Sequence, residues 1–96
     1  MMMEDRFEGD SERASANFDK HGVSFQESVA AFLDAFAVER IDDRKDYGEE
    51  RINMLAMCRG TVVHVTYSER GHRIRIISAR QAEKHEQEDY YRENRF

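Results

Sequence analysis

The sequence predicts an α+β fold of two layers, an antiparallel sheet of about four strands packed against two N-terminal helices, with a further helix at the C-terminus. Three observations carry that expectation. Two segments near the start bear helix caps, two glycine-containing turns join three strand-like runs across residues 51–80, and Ala82, Glu86 and Tyr90 recur about one helical turn apart. With 96 residues there is room for one core, so the whole of 1–96 is read as a single domain.

Asp10 or Ser11 caps the first helix, which runs to about Lys20 and places Ala14, Asn17, Phe18 and His21 near one face. Gly22 is its expected left-handed stop. Ser24 and Glu27 have capping-box spacing, so a second helix follows with Phe25, Val29, Phe32 and Leu33 as its apolar stripe. A short strand at 37–40 leads into a charged loop at 41–49.

Both Arg59-Gly60 and Arg70-Gly71 place glycine second in a two-residue turn, which fixes a register for the strands they join. One face then gathers Ile52, Tyr67 and Ile74, then Met54, Val65 and Ile76, then Ala56, Val63 and Ser78, and is expected to lie under the helices. The other gathers Arg51, Ser68 and Arg73, then Asn53, Thr66 and Arg75, and turns apolar at Leu55, Met57, Val62, Ile77 and Ala79. That apolar end needs a cover. If the third helix leaves it open, Leu55, Met57, Val62 and Ile77 form a docking patch for a partner segment.

Apolar residues are 40% of the chain and charged residues 36%, which leaves little to wall a deep cofactor pocket. The net charge is −5, yet residues 59–80 hold five arginines against the single acid Glu69. A basic middle between acidic ends steers a polyanion to one place, although a solvated charged strand reads the same way. The apolar run at 29–33 is too short to cross a bilayer, and the acidic start lacks the features of a signal peptide, so the cytoplasm is expected, with no membrane partner. Cys58 is a lone cysteine, read as a small hydrophobe at a strand end. It and the four histidines show no zinc spacing, so neither metal nor cofactor is expected.

Residues 7–10 (FEGD) and 17–25 (NFDKHGVSF), then Asp42-Asp43-Arg44, 47–51 (YGEER), 67–70 (YSER) and 73–80 (RIRIISAR), followed by Glu86 and Tyr90, resemble the BrnT family in order along nearly the whole chain. The resemblance implies a fold similar to RelE-type ribonucleases, RNA as substrate, and a ribbon-helix-helix antitoxin of the BrnA type, with operator DNA reached only through that antitoxin. The chain departs from the family at Gly9, usually tryptophan, and at Arg13, usually lysine.

On that reading the chain is an endoribonuclease that works without a metal. The 2′-hydroxyl attacks its own phosphate while a base takes the proton, cations stabilise the phosphorane, and an acid protonates the leaving oxygen. Arg51, Arg73, Arg75 and Arg80 are the candidate phosphate ligands, Lys20 and His21 complete the site, and Glu50 is a candidate base. Arg44, Arg70, Thr66 and Ser68 are expected to touch RNA. The plain alternatives are a helix cap for His21, a surface ion pair for Glu50, core packing for Tyr67 and a structural or interfacial role for His64. The competing function is a non-catalytic antitoxin-binding module acting in autoregulation. A free-standing RNA-binding domain fits less well, because no aromatic series interleaves with the arginines.

Overall fold

The computed structural model describes residues 2–95, leaving aside the side chains of Met2 and Glu4. Six strands, β1 (Met2–Glu4), β2 (Phe7–Gly9), β3 (Val38–Asp42), β4 (Arg51–Cys58), β5 (Thr61–Arg70) and β6 (Arg73–Gln81), form one sheet in the order β1-β2-β6-β5-β4-β3. The expected sheet of about four antiparallel strands is therefore corrected in two respects. A short N-terminal hairpin widens it, and β2 runs parallel to β6, so the sheet is mixed. Three-residue strands carry no readable alternation, and the parallel pairing joins segments far apart in sequence.

Helix α1 (Ser11–His21) has the predicted caps: the Asp10 carboxylate accepts from the Arg13 N–H, and Gly22 adopts φ +71°. Its one buried polar residue, Asn17, fixes it to the sheet. The Asn17 amide donates to the carbonyls of Ala79 (2.7 Å) and Val23 (3.0 Å) and accepts from the Ala79 N–H (3.1 Å). Helix α2 (Phe25–Ser28) opens with the predicted Ser24–Glu27 capping box, but tightens at once into a 3₁₀ turn, Val29–Leu33. The tighter turn rotates the stripe, so Phe25 is fully buried whereas Leu33 is 86% exposed. These helices cover one face of the sheet, enclosing Phe25, Met54, Val65, Tyr67 and Ile76.

The third helix, α3 (Lys84–Glu93), lies on the opposite face, over Leu55 and Val62, with Tyr90 and Ala82 packed against them. The two-layer expectation thus holds for only part of the sheet. The Tyr90 hydroxyl donates to Asp34 Oδ2 at 2.6 Å, and that oxygen also accepts from the Met57 N–H.

Arg59 and Gly60 both take positive φ, 53° and 85°, and β4 pairs with β5 as predicted, from Ile52 with Tyr67 to Cys58 with Thr61. The next hairpin differs. Arg70 pairs with Arg73, so the turn residues are Gly71 and His72, and Tyr67 stands opposite Ile76 rather than Ile74. A bulge then adds one residue, Ile77, to β6, and Thr66 pairs with Ser78, Val65 with Ala79 and His64 with Arg80. One extra residue exchanges the faces beyond it. Ala79, expected on the polar side, is fully buried in the core, and Ser78 moves to the polar side.

Candidate functional site

On the sheet face not covered by α1 and α2, the part beyond α3 is an open trough. Its centre is a groove of about 540 Å³ floored by Asn53, His64, Thr66, Ser78 and Arg80 and walled by Arg40, Asp42, Arg44 and Glu86. Strand alternation puts Asn53, His64 and Thr66 on this side, and the Ile77 bulge brings Ser78 and Arg80 to it.

Arg80 and Glu86 form a bidentate pair, Nη1 to Oε1 at 2.7 Å and Nη2 to Oε2 at 3.0 Å. Burial alone would raise the Glu86 carboxyl, but the hydrogen bonds from Arg80 and from the Glu83 N–H hold it down at about 2. His64 Nε2 stands 3.9 Å from Glu86 Oε2. Burial, and then the neighbouring Arg80 cation, push the His64 pKa below its ordinary 6.5, so the ring is neutral near pH 7 and keeps an acceptor nitrogen. Glu86 engages two of the five guanidinium donors of Arg80 and the Gln81 carbonyl approaches one, which leaves donors for an oxyanion. On the wall, Arg44 binds Asp42 through two hydrogen bonds of 2.8 Å, which hold Asp42 far below the carboxylate range, and Thr66 donates to Asn53 at 2.7 Å.

Among the described residues, three buried side-chain polar atoms lack a hydrogen-bond partner: His64 Nδ1, Ser68 Oγ and Arg75 Nε. All three residues belong to this face. Orphaned polar atoms are costly and rare in folded cores, and their concentration on one surface marks where the fold gives up stability.

The predicted site residues divide. Arg51, Arg70 and Arg75 do converge, lining a second groove beside the first, with Arg13 of α1. Arg80, Arg44 and Thr66 belong to the central groove, and Ser68 is buried between the two arginine strands. Arg73 instead ties down the N-terminal hairpin, donating to the carbonyls of Asp5 (2.6 Å) and Phe7 (3.1 Å). Lys20 and His21 are not brought to the arginines. They end α1 on the helix-covered side, where His21 lines a separate hollow with Cys58 and Arg59. Glu50 is exposed, and its neighbour Glu49 is the carboxylate that meets Arg51 and Arg70, at 3.3 Å each. Arg75 likewise pairs with Glu8 at 3.3 Å. Tyr67 is a core residue whose hydroxyl donates to Glu39.

The docking patch is closed in the chain alone. Leu55 and Val62 lie under α3, Met57 packs beside them, and Ile77 is buried at the bulge. Sequence reasoning missed His64, Glu86 and Glu49. The Glu83–Glu86 helix start shortly after Arg80 was a usable signal for Glu86, whereas nothing local announces the bulge that seats Arg80 beside His64.

Gly9 also acquires a physical reason. A Cβ there would lie 2.9 Å from Cδ2 of Phe25, so the ring of α2 already fills the space a side chain at this position would need. Arg13, the other departure, keeps a cation in the second groove.

No curated protein matches the chain, and no described helix is long and apolar enough to cross a membrane. A family model described as ribonuclease toxin, BrnT, of type II toxin-antitoxin system matches residues 10–86, a span that contains every strand of the trough and ends at Glu86. The chain belongs to the BrnT family of type II toxin-antitoxin ribonuclease toxins.

Proposed function

We propose that the chain is a metal-independent endoribonuclease whose cleavage site is the central groove at His64 and Arg80. The observation that carries this reading is the neutral, partly buried His64 set directly across from Arg80 in a groove that also holds hydroxyl groups. A neutral imidazole is the form that accepts a proton, and a fixed guanidinium stabilises charge as it develops on a phosphorane.

The reaction proceeds by transfer within the RNA. His64 removes the proton of a ribose 2′-hydroxyl, the freed oxygen attacks the adjacent phosphorus, and the bond to the 5′-oxygen breaks. The products are a 2′,3′-cyclic phosphate and, after proton transfer to the leaving oxygen, a 5′-hydroxyl. Arg80 binds the non-bridging oxygens with the donors that Glu86 leaves, while Arg44 and Arg40, each already paired with a carboxylate, stand on the wall. The partner is a ribbon-helix-helix antitoxin of the BrnA type, and operator DNA is reached through it. The cytoplasm is the compartment in which such RNA is met.

One observation favours the second reading, a non-catalytic antitoxin-binding module: Arg51, Arg70, Arg75 and Arg80 each already face one of the chain's own carboxylates. End-group analysis of a short RNA exposed to the purified chain separates the two. A 2′,3′-cyclic phosphate, with no cut where the 2′-hydroxyl is replaced by hydrogen, supports the nuclease. Intact RNA, with the antitoxin still bound, supports the module.

A further inference from the structure

Charge is not shared evenly along the trough. In the central groove Arg40, Arg44 and Arg80 are balanced by Asp42, Asp43 and Glu86. The second groove, about 250 Å³, draws Arg13, Arg51, Arg70 and Arg75 from α1, β4, β5 and β6 and sets only Asp10 and Glu49 against them, an excess of two positive charges. Including Glu8 together with Arg73, which it also meets, leaves the excess unchanged.

Two features give this groove more than charge. Ser68, one step past the Ile52–Tyr67 pair and directly opposite Arg75, is 1% exposed, and its hydroxyl has no partner, nor has Arg75 Nε. The Arg51 guanidinium carbon sits 4.1 Å from the centre of the Tyr47 ring, a cation–π contact that holds it at the groove. Guanidinium planes are stacking surfaces for splayed RNA bases, and several guanidinium groups around one hollow are ready donors for phosphate oxygens. Four steps along β5 separate Ser68, beneath the second groove, from His64, about 13 Å of extended chain, a span that a few nucleotides cover.

We propose that this second groove is a binding subsite for single-stranded RNA, holding a phosphodiester on Arg51, Arg70 and Arg75 and an unpaired base beside the Arg51–Tyr47 contact, next to the linkage cut at His64. The choice of RNA rests on the nuclease reading. The subsite supplies affinity, and the central groove, with no net charge of its own, supplies chemistry.

The test uses the purified full chain and a fluorescein-labelled 2′-O-methyl oligoribonucleotide of mixed sequence, which the proposed chemistry cannot cut, with binding read by anisotropy across a salt series. The double variant Arg51→Ala/Arg70→Ala is expected to bind the probe at least about tenfold more weakly, because charge-assisted contacts are lost. Its dependence of log affinity on log salt should flatten by about 0.7 for each phosphate contact removed. If the double variant melts, Arg70→Ala alone, at the exposed end of a hairpin, is read in the same way. A folded variant with unchanged affinity and salt slope overturns the subsite. Should the native chain bind the probe through these arginines yet cut no RNA, the nuclease reading fails and the subsite stands; cutting with a probe insensitive to the arginines has the opposite meaning.

Discussion

Arg80 stands directly across the β5–β6 ladder from His64 because Ile77 adds one residue to β6. Were Ile77 instead an ordinary rung, the register set at Arg70 and Arg73 would put Ala79 opposite His64 and turn Arg80 toward the helix-covered core. Deleting Ile77 leaves Tyr67–Ile76, Thr66–Ser78, Val65–Ala79 and His64–Arg80 as one regular ladder with Arg80 still facing the trough, so the variant is expected to lose about 1.5–3 kcal/mol for the buried Ile77 side chain and to keep cutting RNA. Urea unfolding followed by circular dichroism measures the first effect. A folded deletion variant that no longer cuts RNA would mean that the bulge does more than set the face of Arg80.

Arg80→Lys keeps the charge but loses the planar fork that holds both oxygens of Glu86 and presents the remaining donors to the groove. Cleavage is expected to fall by about 10²-fold, in the range found for removal of one oxyanion donor, with KM less affected than kcat. Steady-state cleavage of a short RNA measures this, and a lysine variant of native kcat would assign Arg80 to α3 docking alone.

Acid sensitivity follows from the two groups that face each other here. The folded pKa of His64 lies below 6.5, so as pH falls through 6.5 the unfolded chain takes up a proton that the folded chain resists; stability is full above that value and declines below it. Glu86 is held at about 2 against an ordinary 4.5, so its contribution is present above 4.5 and is lost as pH falls toward 2. Asp42, depressed chiefly by its hydrogen bonds from Arg44, acts in the same direction. The Tm should be level from neutrality up to the pH at which Cys58, Tyr67 and Tyr90 ionise in the unfolded chain, decline below about pH 6.5 and fall more steeply below about 4.5, with the decline below 6.5 absent in His64→Gln. An identical decline in that range in the variant would remove His64 from the account. Cleavage by neutral His64 has the same sign: kcat/KM rises with pH, with its midpoint below the ordinary histidine value.

Gly9→Ala places a Cβ 2.9 Å from the buried Phe25 ring. Phe25 is packed on all sides, so the substitution is expected to cost about 1–3 kcal/mol, as overpacking does. Urea unfolding of the alanine variant checks it. A variant as stable as the native chain would show that the ring moves aside freely.

The sequence made some parts legible for local reasons. Asp10, Gly22 and the Ser24–Glu27 box are short-range devices, and each forms as read. Arg59-Gly60 fixes one register because both residues adopt the positive φ that a tight hairpin demands. What escaped is non-local. The β2–β6 pairing joins Phe7 with Ile74, and the position of α3 depends on Tyr90 reaching Asp34. The candidate site suffered from the same limit: Arg51, Arg70 and Arg75 were found because alternation holds before the bulge, whereas His64 and Arg80 meet only beyond it. Lys20 and His21 were placed by their position at a helix end, and that end lies on the other side of the sheet.

The most direct measurement compares the native chain, His64→Ala and Arg80→Ala, each purified free of antitoxin, on total RNA in EDTA. Degradation by the native chain, reduced at least about 10²-fold in both variants while their circular dichroism stays native, is the expected result. Intact RNA with the native chain, or equal degradation by all three, would contradict a metal-independent cleavage site at His64 and Arg80.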